Sequence, residues 1–138
     1  MIYLSAATQP FDDATLAVLE RQASARNASL GVTGLLVWNG SGFLQLLEGP
    51  VRSVEQLMTS IGRDPRHRDI TVVRKVNRIV VNRHKAECPG WGMRAVSAPL
   101  RVEGSASRFA ATLPSSMAME TRIMFTSFAA ALHWPAMA

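Results

Sequence analysis

With 138 residues, 48% of them hydrophobic and 18% charged, the chain is long enough for one domain with its own core and too apolar to be disordered. Its longest apolar runs, such as VTGLLVW, fall far short of the ~20 residues of a membrane span, the start MIYLSAATQPF lacks the basic stretch of a signal peptide, and one cysteine, Cys88, leaves neither an internal disulfide nor a cysteine-built zinc site. A net charge of +5 raises nucleic acid as a partner, but the basic residues crowd into 63–85 without interleaved aromatics for base stacking, so a solvated loop and outer sheet face of a cytoplasmic protein are the expectation.

IYLSAA (2–7) opens the chain as a strand rich in β-formers. Asp12 or Asp13 can cap a helix in which Leu16, Leu19 and Ala23 recur at helical spacing, running down to Arg26–Asn27. Gly31 starts a second strand, VTGLLVW, and NGSG (39–42) is a turn signal that joins it to FLQLLEG as a hairpin. Gly49–Pro50 opens a second helix, with Val54, Leu57, Met58 and Ile61 along one stripe and Gly62 to end it. ITVVRKVNRIVV (70–81) predicts a fourth strand, with a turn near Asn77, and CPGWGMRAV (88–96) a short fifth.

The order β-α-β-β-α-β plus one strand predicts an α+β fold, a ferredoxin-like sandwich with both helices on one face of a mixed sheet. From about Ala98 the composition loses charge and gains Ala, Ser and Met. LPSSMAMETRIMFTSFAAALHW contains a helix after Pro114–Ser115–Ser116. The expected organisation is a domain over 1–97 and a helical tail over 98–138, packed on the open sheet face as a possible output or partner region.

Strand parity raises one problem. Phe43, Gln45 and Leu47 point to one face and Leu44, Leu46 and Glu48 to the other, so Gln45 shares its face with two large apolar residues. A buried amide without partners costs about 1–3 kcal/mol. Tyr3, the single tyrosine, lies on the first strand, which a ferredoxin-like order places beside the third, so the two polar groups can satisfy each other. Bland readings exist for other residues too. Asn27 can end a helix in the left-handed conformation, Trp91 and Met93 can be core residues of one strand face, and Arg66 and His67 can be a polar loop.

Taken in order, IYLS, ARNASLGVTGLL, GFLQLLEGP, DPRHRD and PGWGM resemble the BLUF family of flavin-using blue-light sensors, over residues 2 to about 97. The pattern NxxxGVTGxL followed by FLQxLEG is the most specific part. The resemblance implies a non-enzymatic photoreceptor whose flavin ring lies between the two helices. It assigns Tyr3, Gln45, Trp91 and Met93 to the photoactive set, and Asn27, Gln45, Leu19, Ile61, Asp64, Arg66 and His67 to flavin binding, with no metal. Within that set Asn27 would hold the N3 and C4-carbonyl edge, Leu19 and Ile61 would sandwich the ring, and Asp64, Arg66 and His67 would reach the C2-carbonyl and ribityl side. Light would draw an electron and then a proton from Tyr3, and Gln45, an amide that both donates and accepts, would relay the proton and return with a changed hydrogen bond. Trp91 and Met93 would exchange places near Gln45. The flavin that family habit favours is FAD, with FMN the alternative.

The resemblance further implies a signal passing through the fifth strand to the tail, and from there to a downstream signalling protein or a second copy, without a membrane. Three positions depart from the family pattern: Ser60, where many relatives carry an arginine pointing to the flavin, Arg63 lying three residues on and not at the same spot; Arg26, where asparagine or histidine is frequent; and Cys88, usually phenylalanine. Three rival readings stand beside it. A BLUF-shaped interaction module without light response would draw support from Ser60. A ferredoxin-like nucleic-acid binder would need aromatics that IYLSAA and ITVVRKV do not offer, and an acylphosphatase-like enzyme would need a phosphate loop that the chain does not show.

Overall fold

The computed structural model describes residues 1–75, 87–88, 93–97 and 105–130. Strand β1 is Ile2–Ala7, helix α1 Asp13–Ser29, β2 Thr33–Trp38, β3 Gly42–Glu48, α2 Val51–Gly62, β4 His67–Arg74, β5 Arg94–Ser97, α3 Ser105–Thr112 and α4 Met119–Ala130. The sheet runs β4-β1-β3-β2-β5, antiparallel throughout except for the parallel β2–β5 pair. This is the ferredoxin-like βαββαβ arrangement with one strand added beside β2.

Local chemistry accounts for the boundaries. Asp12 caps α1, its carboxylate accepting the Thr15 N–H at 2.7 Å. The helix continues past Asn27 to Ser29, and the positive φ falls on Gly31 (φ 70), which carries no Cβ to oppose it. Asn27 is therefore a helical residue, which corrects the left-handed reading, and its carbonyl accepts from Leu30 N–H at 3.0 Å and Val32 N–H at 2.9 Å. In the hairpin, Asn39 Oδ1 accepts from both Ser41 and Gly42 N–H at 3.1 Å. Pro50 stands just ahead of α2, whose Val54, Leu57 and Ile61 are buried.

Three elements differ from expectation. β4 starts at His67, three residues early, because its charged start lies on an edge strand where side chains reach water, and a register shift accompanies the positive φ of Asp69. β5 is described only over Arg94–Ser97, and the turn near Asn77, the end of the fourth strand and Trp91 lie outside the described residues. The C-terminal stretch holds two described helices instead of one, α3 preceding the expected helix.

The sheet separates two apolar cores. One holds Tyr3, Leu36, Phe43, Leu47, Leu16, Ala23, Leu57, Ile61 and Met93, beneath α1 and α2. The other holds Ile2, Leu35, Val37, Leu44 and Leu46 under Phe109, Leu113, Met117, Phe125 and Ala129 of the C-terminal helices and their connection. Strand alternation alone divides the sheet residues between them.

Candidate functional site

The antiparallel register of β1 and β3 sets Tyr3 opposite Gln45. The Tyr3 hydroxyl donates to Gln45 Oε1. The other end of the amide, Nε2, donates to Met93 Sδ at 3.6 Å. All three side chains are buried, so the amide is held with its oxygen toward the phenol and its NH2 toward a soft sulfur acceptor. Burial pushes the Tyr3 phenol above its ordinary range, with Arg26 opposing and Asp64 adding to the shift. Tyr3 therefore stays a neutral donor.

Beside this pair lies a cleft of about 430 Å³, counting the part open to solvent. Leu19 and Ala23 of α1 and Ile61 of α2 line it, together with Tyr3, Phe11, Leu36, Phe43 and Gln45. Apolar residues on two helices above a sheet leave a slot suited to a flat aromatic ring, and one polar side is supplied by Arg26, Asp64, Arg66 and His67.

That polar side is built by the turn after α2. Asp64 N–H bonds the Ile61 carbonyl at 3.0 Å, while Thr8 holds the turn from β1, through its N–H to Arg66 O at 3.0 Å and its hydroxyl to Pro65 O at 2.7 Å. Arg66 grips both carboxylate oxygens of Asp64, at 2.6 to 3.0 Å, and adds its backbone N–H. Those hydrogen bonds hold the Asp64 carboxyl below its usual range, and Asp64 in turn raises the Arg66 guanidinium. His67 Nε2 lies 2.8 Å from the Ile61 carbonyl, which can only accept, so that nitrogen carries a proton. In the neutral ring Nδ1 then accepts from the Ser5 hydroxyl at 2.9 Å.

Residues 1–93 match the family described as sensors of blue-light using FAD, BLUF. The chain belongs to the BLUF family. Among BLUF relatives, the photoactivated adenylate cyclase subunit beta of Euglena longa is 40% identical over 73 residues, 53% of this chain but 8% of that protein. The blue light- and temperature-regulated antirepressor BluF of Escherichia coli is 50% identical over 48 residues, 35% of this chain and 12% of that one. The chain thus spans about a tenth of these two curated relatives. Among solved structures, BlrP1 BLUF gives a TM-score of 0.68 at 30% identity, covering 95% of this chain and 86% of that one. The dark-state BLUF protein BlrB gives 0.64 at 29%, covering 95% and 94%. The shared BLUF region is a flavin-binding blue-light sensor module.

The BLUF positions expected from sequence are distributed as follows. Tyr3, Gln45, Leu19, Ile61, Asp64, Arg66 and His67 all line the one cleft. Met93 contacts Gln45 without lining it, and Asn27, fully buried on α1, is not among the lining residues either. Trp91 lies outside the described residues. Sequence reasoning did not assign Phe11, Ala23, Leu36 and Phe43 to the cleft, although Leu36 pairs with Gln45 in the β2–β3 register and the hairpin turn would have revealed it. It also missed Ser5 as the partner of His67. Arg26, read only as a departure from the family, lines the cleft.

Proposed function

We propose that this BLUF protein senses blue light by holding flavin in the cleft between α1 and α2, with Tyr3 and Gln45 as the switching pair. The observation that carries the reading is the Tyr3–Gln45–Met93 chain of hydrogen bonds beside a cleft that suits a flat ring. Leu19, Ala23 and Ile61 would pack the ring faces, and Asp64, Arg66 and His67 would meet its polar edge and ribityl chain, with Asn27 supporting the α1 side. Bound flavin supplies the blue absorption and a one-electron oxidant. Tyr3 would supply the electron, and its proton already points at Gln45 Oε1. A phenol that has lost an electron is a strong acid, so Gln45 would take that proton on Oε1 and release one from Nε2 toward the bound flavin, staying neutral; return of the electron and a proton to Tyr3 would close the cycle. Gln45 would be left rotated or as its tautomer, with a different set of partners. Because Gln45 also holds Met93, immediately before β5, the change would reach that strand and the α3–α4 region beyond it.

FAD is the flavin proposed, with FMN the alternative. The domain over 1–97 would be the sensor and 98–138 the region that a downstream signalling protein or a second copy reads. The decisive measurement is an absorption spectrum before and after blue light, with a small reversible red shift expected. Gln45→Leu is expected to keep flavin and lose the shift, and Tyr3→Phe to lose the normal photocycle. A full shift in Gln45→Leu would refute the relay, and a protein that stays colourless after flavin supplementation would refute flavin binding.

A further inference from the structure

Glu20 follows the cleft-lining Leu19 on α1, and its own carboxylate lies outside the cleft lining. Its Oε2 instead accepts the backbone N–H of Ala95, 2.6 Å away and 75 positions along the chain. Among the described residues β5 spans Arg94–Ser97 and ends the sheet order, paired in parallel with β2. A strand with one paired neighbour leaves half of its backbone groups outside the ladder. A charge-assisted bond from a carboxylate is about twice as strong as a neutral one, so this bond from α1 adds to the β2 ladder in locating β5.

Met93 stands two residues before Ala95. Its sulfur accepts from Gln45 Nε2, and its terminal methyl lies over Gly34 of β2, where a Cβ would come within 3.2 Å of Met93 Cε. Position along β5 therefore decides whether the sulfur stays in reach of the amide.

We propose that Glu20 is a positioning residue for the switching pair: by holding Ala95 it keeps Met93 Sδ as the acceptor for Gln45 Nε2, and so keeps Gln45 Oε1 turned to Tyr3. Without that hold Met93 drifts, Nε2 loses its acceptor, and the amide reorients more readily. The geometric part stands on the hydrogen bonds alone, whereas the optical consequence rests on the photochemical reading above.

The test uses the full chain supplemented with flavin, as wild type, Glu20→Ala, Glu20→Asp, which keeps the charge but shortens the reach, and Glu20→Gln, which keeps a carbonyl acceptor. Three quantities are read: exchange of the Ala95 amide, the Met93 methyl resonance in the dark, and the rate of dark recovery after blue light. Glu20→Ala and Glu20→Asp are expected to exchange the Ala95 amide about ten-fold faster, shift the Met93 resonance and change the recovery rate by about three-fold or more. Glu20→Gln, left with a neutral acceptor, is expected to fall between wild type and Glu20→Ala in both rates. A wild-type Met93 resonance and recovery rate in Glu20→Ala and Glu20→Asp, even with faster Ala95 exchange, would reduce Glu20 to a structural tie and overturn the proposal. If wild type shows no light-driven shift, the photochemical reading fails separately, and the Met93 resonance still decides for or against the positioning role.

Discussion

Tyr3 shows how one buried side chain acquires its properties. It is the single tyrosine of the chain and only 2% exposed. A phenol whose pKa rises on folding binds its proton more tightly in the folded than in the unfolded state. Between its ordinary value of 10.0 and the raised folded value, increasing pH therefore removes stability. The expected outcome is that phenolate absorbance stays absent from the folded protein at about pH 11 and appears on unfolding. Part of the alkaline loss in urea midpoint is expected to vanish in Tyr3→Phe. Phenolate absorbance at the ordinary pH in the folded protein would contradict this account. Residue identity was legible here, since Tyr3 and Gln45 stood out as polar groups on apolar strand faces. The cost of burying them and the direction of the amide were not, because both depend on Met93, which sits 48 positions away.

At the scale of elements, periodicity located most helices and strands, and the failures have physical causes. The expected end of α1 at Asn27 was early because a glycine four residues on takes the turn more easily. α3 was missed because it is only eight residues long, and its buried Phe109 matters only against the far sheet face. Gly34 illustrates the same dependence. In sequence it is one small residue in a strand, but a Cβ there would collide with the Leu46 carbonyl oxygen and press on Met93. Gly34→Ala is expected to cost about 1–3 kcal/mol, read as a lowered denaturation midpoint, and to disturb Met93 as well. A neutral result would mean that β2 and β3 can separate locally at no cost.

Across the whole molecule, Glu87 joins the two sides. Its N–H bonds Glu48 of β3 at 2.7 Å, its carbonyl accepts from Ser116 at 2.9 Å, and its carboxylate accepts from Ala118 N–H and from Arg74, both at 2.9 Å. Arg74 also bonds Thr121 of α4 at 2.6 Å. These bonds fasten the α3–α4 connection to the edge of the sheet. Glu87→Ala is expected to speed proteolysis of the C-terminal helices about ten-fold while the β1–β3 core stays intact. Phe125→Ala, which empties a fully buried site in the second core, is expected to cost about 3–5 kcal/mol. Unchanged proteolysis in Glu87→Ala would show that apolar burial alone holds the helices.

The sequence by itself determined the element order from β1 to β5, the sheet faces of the β1 and β3 residues, and the family, because these follow from period-two alternation, local turn chemistry and linear motifs. Tertiary structure alone decided that Asp64 and Arg66 lock each other beside the cleft, that Ser5 holds His67, that Met93 accepts from Gln45, and that Glu20 reaches Ala95. The physical reason is common to all of them. A hydrogen bond is fixed by distances of about 3 Å, and residues separated by tens of positions come that close only after the sheet has set its register.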